Sequence, residues 1–270
     1  MPLINKNKAL IKKNLNSNFK RDTFTKCYNK NRYYNRKMKK IRTITLLFLI
    51  LCSFGLKAQL MSSKNYANRN TNYFIDENTG FCVGNKGVIL KTVDGGANWT
   101  NLTTNLRTNF YSVIFITSDI GYVAGDNGII VKTVNGGTSW YVLNTNININ
   151  LRSIYFLDSL NGFAAGEYGM ILKTNNGGVD WKILDSGTTK VIQSIYFIDN
   201  KTGFAVGEAG RILKTTNGGK KWSRKNTYTM QTMTSVYFSN FQEGYVISET
   251  GNLYRTFDGG SHWEIVNKIL

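Results

Sequence analysis

The chain has 270 residues, a formal net charge of +18 and a single histidine, His262. Residues 1–59 carry 15 Lys and Arg and one acidic residue, whereas residues 60–270 carry 19 basic and 15 acidic residues. A folded domain that binds nucleic acid needs its own basic surface, so this distribution argues against a nucleic-acid partner. One histidine also leaves a histidine-based zinc site and a histidine-dependent catalytic triad without support.

The first 37 residues contain eight Lys and eight Asn and show no hydrophobic period. This composition predicts a disordered basic extension. A signal peptide normally begins a chain, and residues 38–59 have the pattern of one. The alternative is therefore that Met38 is the true start. In either case residues 1–37 are set apart from the folded domain.

Residues 38–59 have the pattern of a secretory signal peptide, with basic residues ahead of a short apolar core, Ile44–Leu56. That core is shorter than the ~20 residues that a membrane-spanning helix needs. We expect cleavage after Ala58 and an exported protein, periplasmic or secreted in a bacterial cell envelope, without a stable transmembrane anchor in its mature form. Lipidation at Cys52 and retention of the segment as an anchor are the alternatives.

The five tryptophans of residues 60–270 lie 41 residues apart, and each closes the same type of phrase, such as "KTVNGGTSW". A period of about 40 residues with Gly and aromatic markers is typical of a β-propeller. These tryptophans are Trp99, Trp140, Trp181, Trp222 and Trp263.

Each repeat predicts four short strands. The first ends in Phe, turns ending in Gly precede the second and third, and the Trp begins the fourth. This order predicts an all-β propeller of five four-stranded blades over residues 60–270, with repeats at about 71–111, 112–152, 153–193, 194–234 and 235–270. The blades form either a closed five-bladed ring or an open arc, and an open arc would expose blade faces and favour dimerisation.

The phrase Thr-x-Asp/Asn-Gly-Gly-x-x-Trp resembles the Asp-box of BNR repeats, and the whole unit resembles the repeat of the photosystem II assembly and stability factor family. An Asp or Asn oxygen can accept backbone N–H groups within its own turn, so we expect a structural role for this position. It is occupied by Asp94, Asn135, Asn176, Asn217 and Asp258. The resemblance implies a protein-binding scaffold that helps to build membrane complexes, and places ligand sites on the face of the second-to-third turns, away from the boxes.

The second-to-third turn holds one acidic residue in four of the five repeats. The positions are Asn85, Asp126, Glu167, Glu208 and Glu249. One interpretation is a ring of carboxylates that binds a cation, a basic protein segment or sugar hydroxyls; the other is a polar residue that suits an exposed turn. Arg107, Arg152, Lys190 and Tyr111, in the blade-to-blade segments of the same face, are further candidates for contacts or are ordinary solvated loop residues.

We therefore expect an exported, non-enzymatic propeller that binds a protein or an envelope glycan and has no cofactor or metal. The alternatives are a carbohydrate-binding propeller and an Asp-box glycoside hydrolase of the sialidase or xyloglucanase type. Glycoside hydrolysis needs paired carboxylates or a Tyr nucleophile in an asymmetric cleft, and the unbroken 41-residue spacing does not favour such a cleft.

Overall fold

The computed structural model describes residues 69–102 and 104–268, which lie in the compact unit Tyr66–Leu270. The predictions for residues 1–37, for the signal peptide at 38–59 and for the cleavage site therefore lie outside the described residues. The described chain forms five separate four-stranded antiparallel sheets, each with its strands side by side in chain order. No helix in this part of the chain is long and apolar enough to cross a bilayer.

The strands of blades 1 to 3 follow one pattern of lengths. Blade 1 contains β1 (Arg69–Phe74), β2 (Gly80–Gly84), β3 (Ile89–Thr92) and β4 (Thr100–Leu102). Blade 2 contains β5 (Phe110–Phe115), β6 (Gly121–Gly125), β7 (Ile130–Thr133) and β8 (Tyr141–Leu143). Blade 3 contains β9 (Leu151–Phe156), β10 (Gly162–Gly166), β11 (Ile171–Thr174) and β12 (Lys182–Leu184).

Blades 4 and 5 keep the order with small differences in length. Blade 4 contains β13 (Ile192–Phe197), β14 (Gly203–Gly207), β15 (Arg211–Thr215) and β16 (Ser223–Lys225). Blade 5 contains β17 (Met233–Phe238), β18 (Gly244–Ser248), β19 (Asn252–Thr256) and β20 (Glu264–Lys268). One-turn 3-10 helices link the second and third strands of blades 1 to 3, at Asn85–Gly87, Asp126–Gly128 and Glu167–Gly169.

The predicted fold class, an all-β propeller of five four-stranded blades, is confirmed. The first strands end at the predicted phenylalanines, and the second strands begin at the predicted glycines. One detail differs, because each fourth strand begins one residue after the Trp, which lies in the preceding turn. Trp222 and Trp263 are buried, and the other three tryptophans are half-buried.

Stacked aromatic rings join each blade to the next. The ring from the second strand of one blade lies against the Phe that ends the first strand of the following blade, and the second-strand ring is at most 1% exposed. The ring centroids are 3.6–4.1 Å apart in the pairs Phe81–Phe115, Tyr122–Phe156, Phe163–Phe197 and Phe204–Phe238. Each blade therefore completes the burial of its predecessor's apolar face, which is how repeat proteins obtain a continuous core.

A lysine reinforces every one of these four junctions. Its Nζ lies over the stacked second-strand ring and donates to a glycine carbonyl oxygen of the next Asp-box turn, as in Lys132 to Gly177 at 3.1 Å. The other pairs are Lys91–Gly136, Lys173–Gly218 and Lys214–Gly259, at 3.0, 3.0 and 2.6 Å. Burial lowers the pKa of Lys132, Lys173 and Lys214. Each of these ammonium groups thus loses part of its hydration, and its contacts with the carbonyl oxygen and the ring face take the place of the lost water.

Blade 5 departs from this arrangement. Its second-strand ring is Tyr245, which is half-buried, and the lysine position holds Arg255. Arg255 pairs with Glu243 of its own blade, and its guanidinium carbon lies 3.6 Å from the Phe257 ring centroid. Within residues 69–102 and 104–268, the stacked pair and the lysine contact do not recur between blade 5 and blade 1. Dimerisation through a blade face stays a prediction.

The Asp-box turns have the same hydrogen bonds in all five blades. In blade 1 the Oγ1 of Thr92 donates to Asp94 and accepts the N–H of Gly96, while Asp94 Oδ1 accepts the N–H of Asn98 at 2.9 Å. In blade 2, Asn135 Oδ1 accepts the equivalent N–H, also at 2.9 Å. Asp and Asn present the same acceptor oxygen, so either residue supports the turn.

Replacement of Gly169 by Ala tests the close packing of the second-to-third turn. Gly169 and Gly187 share a positive φ, 69° and 70°, but only at Gly169 would a Cβ overlap a main-chain atom, the carbonyl oxygen of Thr188. We expect Gly187→Ala to lower the free energy of unfolding by about 1 kcal/mol, the cost of the left-handed conformation. Gly169→Ala should cost about 3 kcal/mol, because the overlap adds to that cost. Equal losses in urea unfolding would contradict this packing.

Replacement of Asp94 by Asn tests the electrostatics of the Asp-box. Hydrogen bonds from the N–H of Asn98 and from the Thr92 hydroxyl lower the Asp94 pKa to about 2. A carboxylate with a depressed pKa in the folded state stabilises the fold above its unfolded pKa of about 3.9 and loses this effect as the pH falls toward the folded value. The melting temperature of the native protein should therefore fall between about pH 4 and pH 2, and the melting temperature of the Asp94→Asn variant should fall less steeply.

The converse variant, Asn135→Asp, is the matched control for this prediction. It introduces an ionisable acceptor into a turn that is neutral in the native chain, so its melting temperature should become more sensitive to acid. Identical pH profiles for the native protein and both variants would show that the boxes do not contribute to acid sensitivity.

Candidate functional site

The second-to-third turns and the blade-to-blade loops lie on one side of the propeller, here called the turn face. The contacts establish this, because the hydroxyl of Thr145, in the loop after blade 2, donates to the carbonyl oxygen of Gly128 in the blade 2 turn at 2.7 Å. Ser186 makes the same contact with Gly169, and Thr227 with Gly210. All five positions of the predicted acidic ring belong to this face.

Three of the four acidic side chains of the turn face bind the main chain just ahead of their own first strand. Asp126 donates its N–H to the carbonyl of Asn109, and its Oδ2 accepts the N–H of Asn109 at 3.2 Å. Glu208 forms the same reciprocal pair with Val191, and Glu249 forms it with Thr232. These contacts give Asp126, Glu208 and Glu249 a structural role, whereas Glu167 accepts hydrogen bonds from the side chains of Asn150 and Arg152. Binding of a cation, a basic segment or a sugar by the ring stays a prediction.

Two of the predicted residues, Arg152 and Tyr111, are in contact with each other between blades 2 and 3. The Arg152 guanidinium lies over the Tyr111 ring, 4.2 Å from its centroid, and pairs with Glu167. The Tyr111 hydroxyl donates to Asp126 at 2.5 Å. Burial, with help from this hydrogen bond, raises the Tyr111 pKa, so its hydroxyl stays protonated and acts as a donor. The four side chains form one continuous network across the junction.

The remaining predicted contact residues differ in position. Arg107 and Lys190 are exposed on the blade-to-blade loops. At the equivalent position in blade 1, Asn85 Oδ1 accepts a hydrogen bond from Asn70 at 3.0 Å, in place of the Tyr111–Asp126 hydrogen bond of blade 2 and the Arg152–Glu167 ion pair of blade 3. Tyr111 lies in β5 and Arg152 in β9, within first strands and not in the blade-to-blade segments where they were predicted, whereas Arg107 and Lys190 lie on the exposed loops.

A central cavity of about 490 Å³ opens between the first strands of all five blades. Its lining is almost entirely hydroxyl and amide side chains, together with Arg152 and Tyr111. The lining residues are, from blade 1 to blade 5, Asn70, Thr71, Tyr111, Ser112, Arg152, Ser153, Gln193, Ser194, Thr234 and Ser235. Concave sites with convergent polar groups are the usual places for ligands, so this cavity is the candidate binding site.

Most of the cavity lining was not singled out from the sequence. One signal was present, because a hydroxyl residue recurs every 41 residues in a strand that is otherwise largely apolar or aromatic: Thr71, Ser112, Ser153, Ser194 and Ser235. We call this set the serine position. Strand alternation alone does not show which side of an inner strand faces the centre, so the pattern could be recognised as a lining only from the structure.

Tyrosines lie two residues further along the inner strands, beyond the serine position. The rings of Tyr155 and Tyr196 are half-buried with centroids 5.0 Å apart, and Tyr196 donates to the carbonyl oxygen of Phe238 at 3.1 Å. Tyr237 continues the row in blade 5 and is 47% exposed. Burial raises the pKa of Tyr155 and Tyr196, so both remain uncharged. The described residues contain no group of three or more His, Cys, Asp or Glu that could hold a metal ion.

The fold is shared with several solved propellers. A structure described as YCF48 bound to D1 peptide aligns with a TM-score of 0.60 at 23% identity, covering 74% of this chain and 67% of that one. The WD40 propeller domain of Doa1 gives 0.59 at 13% identity, with coverages of 74% and 67%. A GH74 enzyme of Niastella koreensis gives 0.63 at 15% identity, covering 76% of this chain and 39% of that one. At these identities the likeness shows the fold alone.

Comparison with curated proteins gave no match. The sequence matches the family described as "Photosynthesis system II assembly factor YCF48" over residues 63–148, 138–224 and 174–268. These segments together span more than half of the chain and all five blades, as the resemblance of the repeat predicted. The chain therefore belongs to the YCF48 family of BNR-repeat propellers.

Proposed function

We propose that this protein is an exported, non-enzymatic propeller that binds a segment of another protein in its central cavity and acts as an assembly scaffold in the cell envelope. The observation that carries the proposal is the convergence of polar side chains from all five blades on one cavity. A solved YCF48 structure has a bound peptide, which supports protein binding by this chain. The family description supports a role in assembly.

The chemistry of the cavity supports binding over hydrolysis. Glycoside hydrolysis proceeds most often through two carboxyl groups flanking the bond to be cleaved. The cavity lining carries hydroxyl, amide and guanidinium groups and no carboxylate. The nearest acidic residues, Asp126 and Glu167, are engaged with Tyr111 and Arg152. A glycan would use the same hydroxyl and amide groups, so it is the alternative that the binding experiment must separate from a protein segment.

Selection of peptides tests the proposed activity. The full chain is panned against displayed random peptides and, in parallel, titrated with soluble peptidoglycan fragments and β-glucan oligosaccharides. We expect enriched peptides with dissociation constants on the order of micromolar, as for small interfaces. Ser194→Trp, which places a large ring in the cavity, should abolish peptide binding, whereas Ser159→Trp on an exposed loop should not. Binding of oligosaccharides without any enriched peptide would favour the carbohydrate alternative.

Export is tested by the N-terminus of the mature protein. Expression of the full chain in a bacterium, followed by fractionation and N-terminal sequencing, should yield a protein that begins at Gln59 outside the cytoplasm. Ala58→Trp should block cleavage at this site, because signal peptidase needs a small residue there. A chain that keeps Met1 or Met38 in the cytoplasm, or one that begins at a lipidated Cys52, would contradict cleavage after Ala58.

A further inference from the structure

We infer that an extended polypeptide segment binds the blade 4 and blade 5 side of the central cavity, through hydrogen bonds from its main chain to Gln193, Ser194 and Ser235. The inference rests on the proposed function and assigns the residues and the ligand chemistry of the same site. It follows from a difference between members of the serine position: the hydroxyls of Ser112 and Ser153 are used within the fold. Those of Thr71, Ser194 and Ser235 have no hydrogen bond to residues 69–102 or 104–268.

In blades 2 and 3 the serine hydroxyl is used within the fold. Ser112 Oγ accepts the N–H of Ile154 at 3.1 Å, which links the first strands of blades 2 and 3. Ser153 Oγ accepts the N–H of Ile195 at 3.2 Å and links blades 3 and 4. These hydroxyls stabilise the inner wall, because they satisfy main-chain groups at the inner edges of β9 and β13.

In blade 4 the same contact is absent from the described residues. The repeat predicts that Ser194 would accept the N–H of Val236, but the side chain of Ser194 has no hydrogen bond to residues 69–102 or 104–268. Gln193 and Ser235 also lack a side-chain hydrogen bond within these ranges. All three line the cavity, so their donors and acceptors are directed to a space that a ligand can enter.

Blade 5 presents the most exposed member of the serine position. Ser235 is exposed on β17, whereas Ser153 of blade 3 is buried and Ser194 of blade 4 is half-buried. β17 pairs with β18 along one edge. The contacts of Ile154 and Ile195 show that main-chain N–H groups at this point of a first strand are directed toward the serine of the preceding blade. A ligand on the blade 5 side therefore meets free side-chain hydroxyls beside an accessible strand.

A polypeptide main chain matches this surface better than a charged or purely hydroxylated ligand. Serine and glutamine side chains both donate and accept, which suits the alternating N–H and C=O groups of an extended chain. The only guanidinium of the lining, Arg152, is already paired with Glu167, so the site offers no free charge for an anionic ligand. The exposed ring of Tyr237, two residues beyond Ser235, is placed to contact an apolar side chain of the bound segment.

The experiment compares serines of the same position in different blades. The full chain and its variants are titrated with the peptides enriched from the displayed library, and the melting temperature of each variant is measured. The Ser194→Ala, Gln193→Ala double variant should bind about tenfold more weakly at an unchanged melting temperature, because each lost hydrogen bond lowers the affinity. Ser153→Ala should lower the melting temperature, since it removes a link between blades, and should lower the affinity less.

The outcomes separate the inference from the proposed function. Peptides that bind the double variant as tightly as the native chain would overturn the inference and leave protein binding intact. Equal losses of affinity in Ser153→Ala and in Ser194→Ala would also overturn it, because the ligand would not then distinguish the two sides of the cavity. The failure of any peptide to be enriched would overturn both.

Discussion

The structure depends on the burial of each blade's apolar face by the blade that follows it. A single four-stranded sheet of this length has too little surface to form a core, and the stacked rings at the junctions supply what it lacks. The half-buried lysine that crosses each of the four junctions fixes the relative position of the two blades, because its ammonium group meets a carbonyl oxygen at one point of the neighbouring turn. The turns, the Asp-boxes and the central cavity all keep their positions because these junctions repeat.

The same requirement explains why the fold could be predicted from the sequence. Blades 1 to 4 carry the same second-strand ring and lysine, and all five blades carry the Gly-Gly turn, so these residues recur every 41 residues and predict the architecture. The Trp was misplaced by one residue, because the β-propensity of a tryptophan gives no sign that a turn continues through it. Exchange of the junction lysine for Arg255 was visible in the sequence, but its pairing with Glu243 depends on packing within one blade.

The candidate site was predicted less completely. The acidic positions lie on one face with the blade-to-blade loops, because turn position follows directly from strand order, whereas Arg152 and Tyr111 lie within first strands and not in the blade-to-blade segments. Their partners were not predictable, since each carboxylate meets a main-chain N–H or a side chain that lies 15 or 17 residues earlier in the sequence. The serine position shows most clearly what could not be predicted from the sequence. Ser153 and Ser194 are both followed by Ile-Tyr-Phe, yet only the Ser153 hydroxyl accepts a main-chain N–H from the next blade among the described residues.

The Asp-boxes have a consequence for the chemical ageing of the protein. In blades 2 to 4 the box residue is an asparagine followed by glycine, at Asn135, Asn176 and Asn217. Asparagine is a labile residue, and a following glycine offers little steric hindrance to the cyclisation that releases its amide. When water opens the cyclic product so that the normal main chain is restored, the residue becomes aspartate. Blades 1 and 5 already use aspartate in the same turn. Deamidation by this route adds negative charge to the outer turns while keeping the oxygen that holds them together, whereas the isoaspartyl product lengthens the main chain and disrupts the turn.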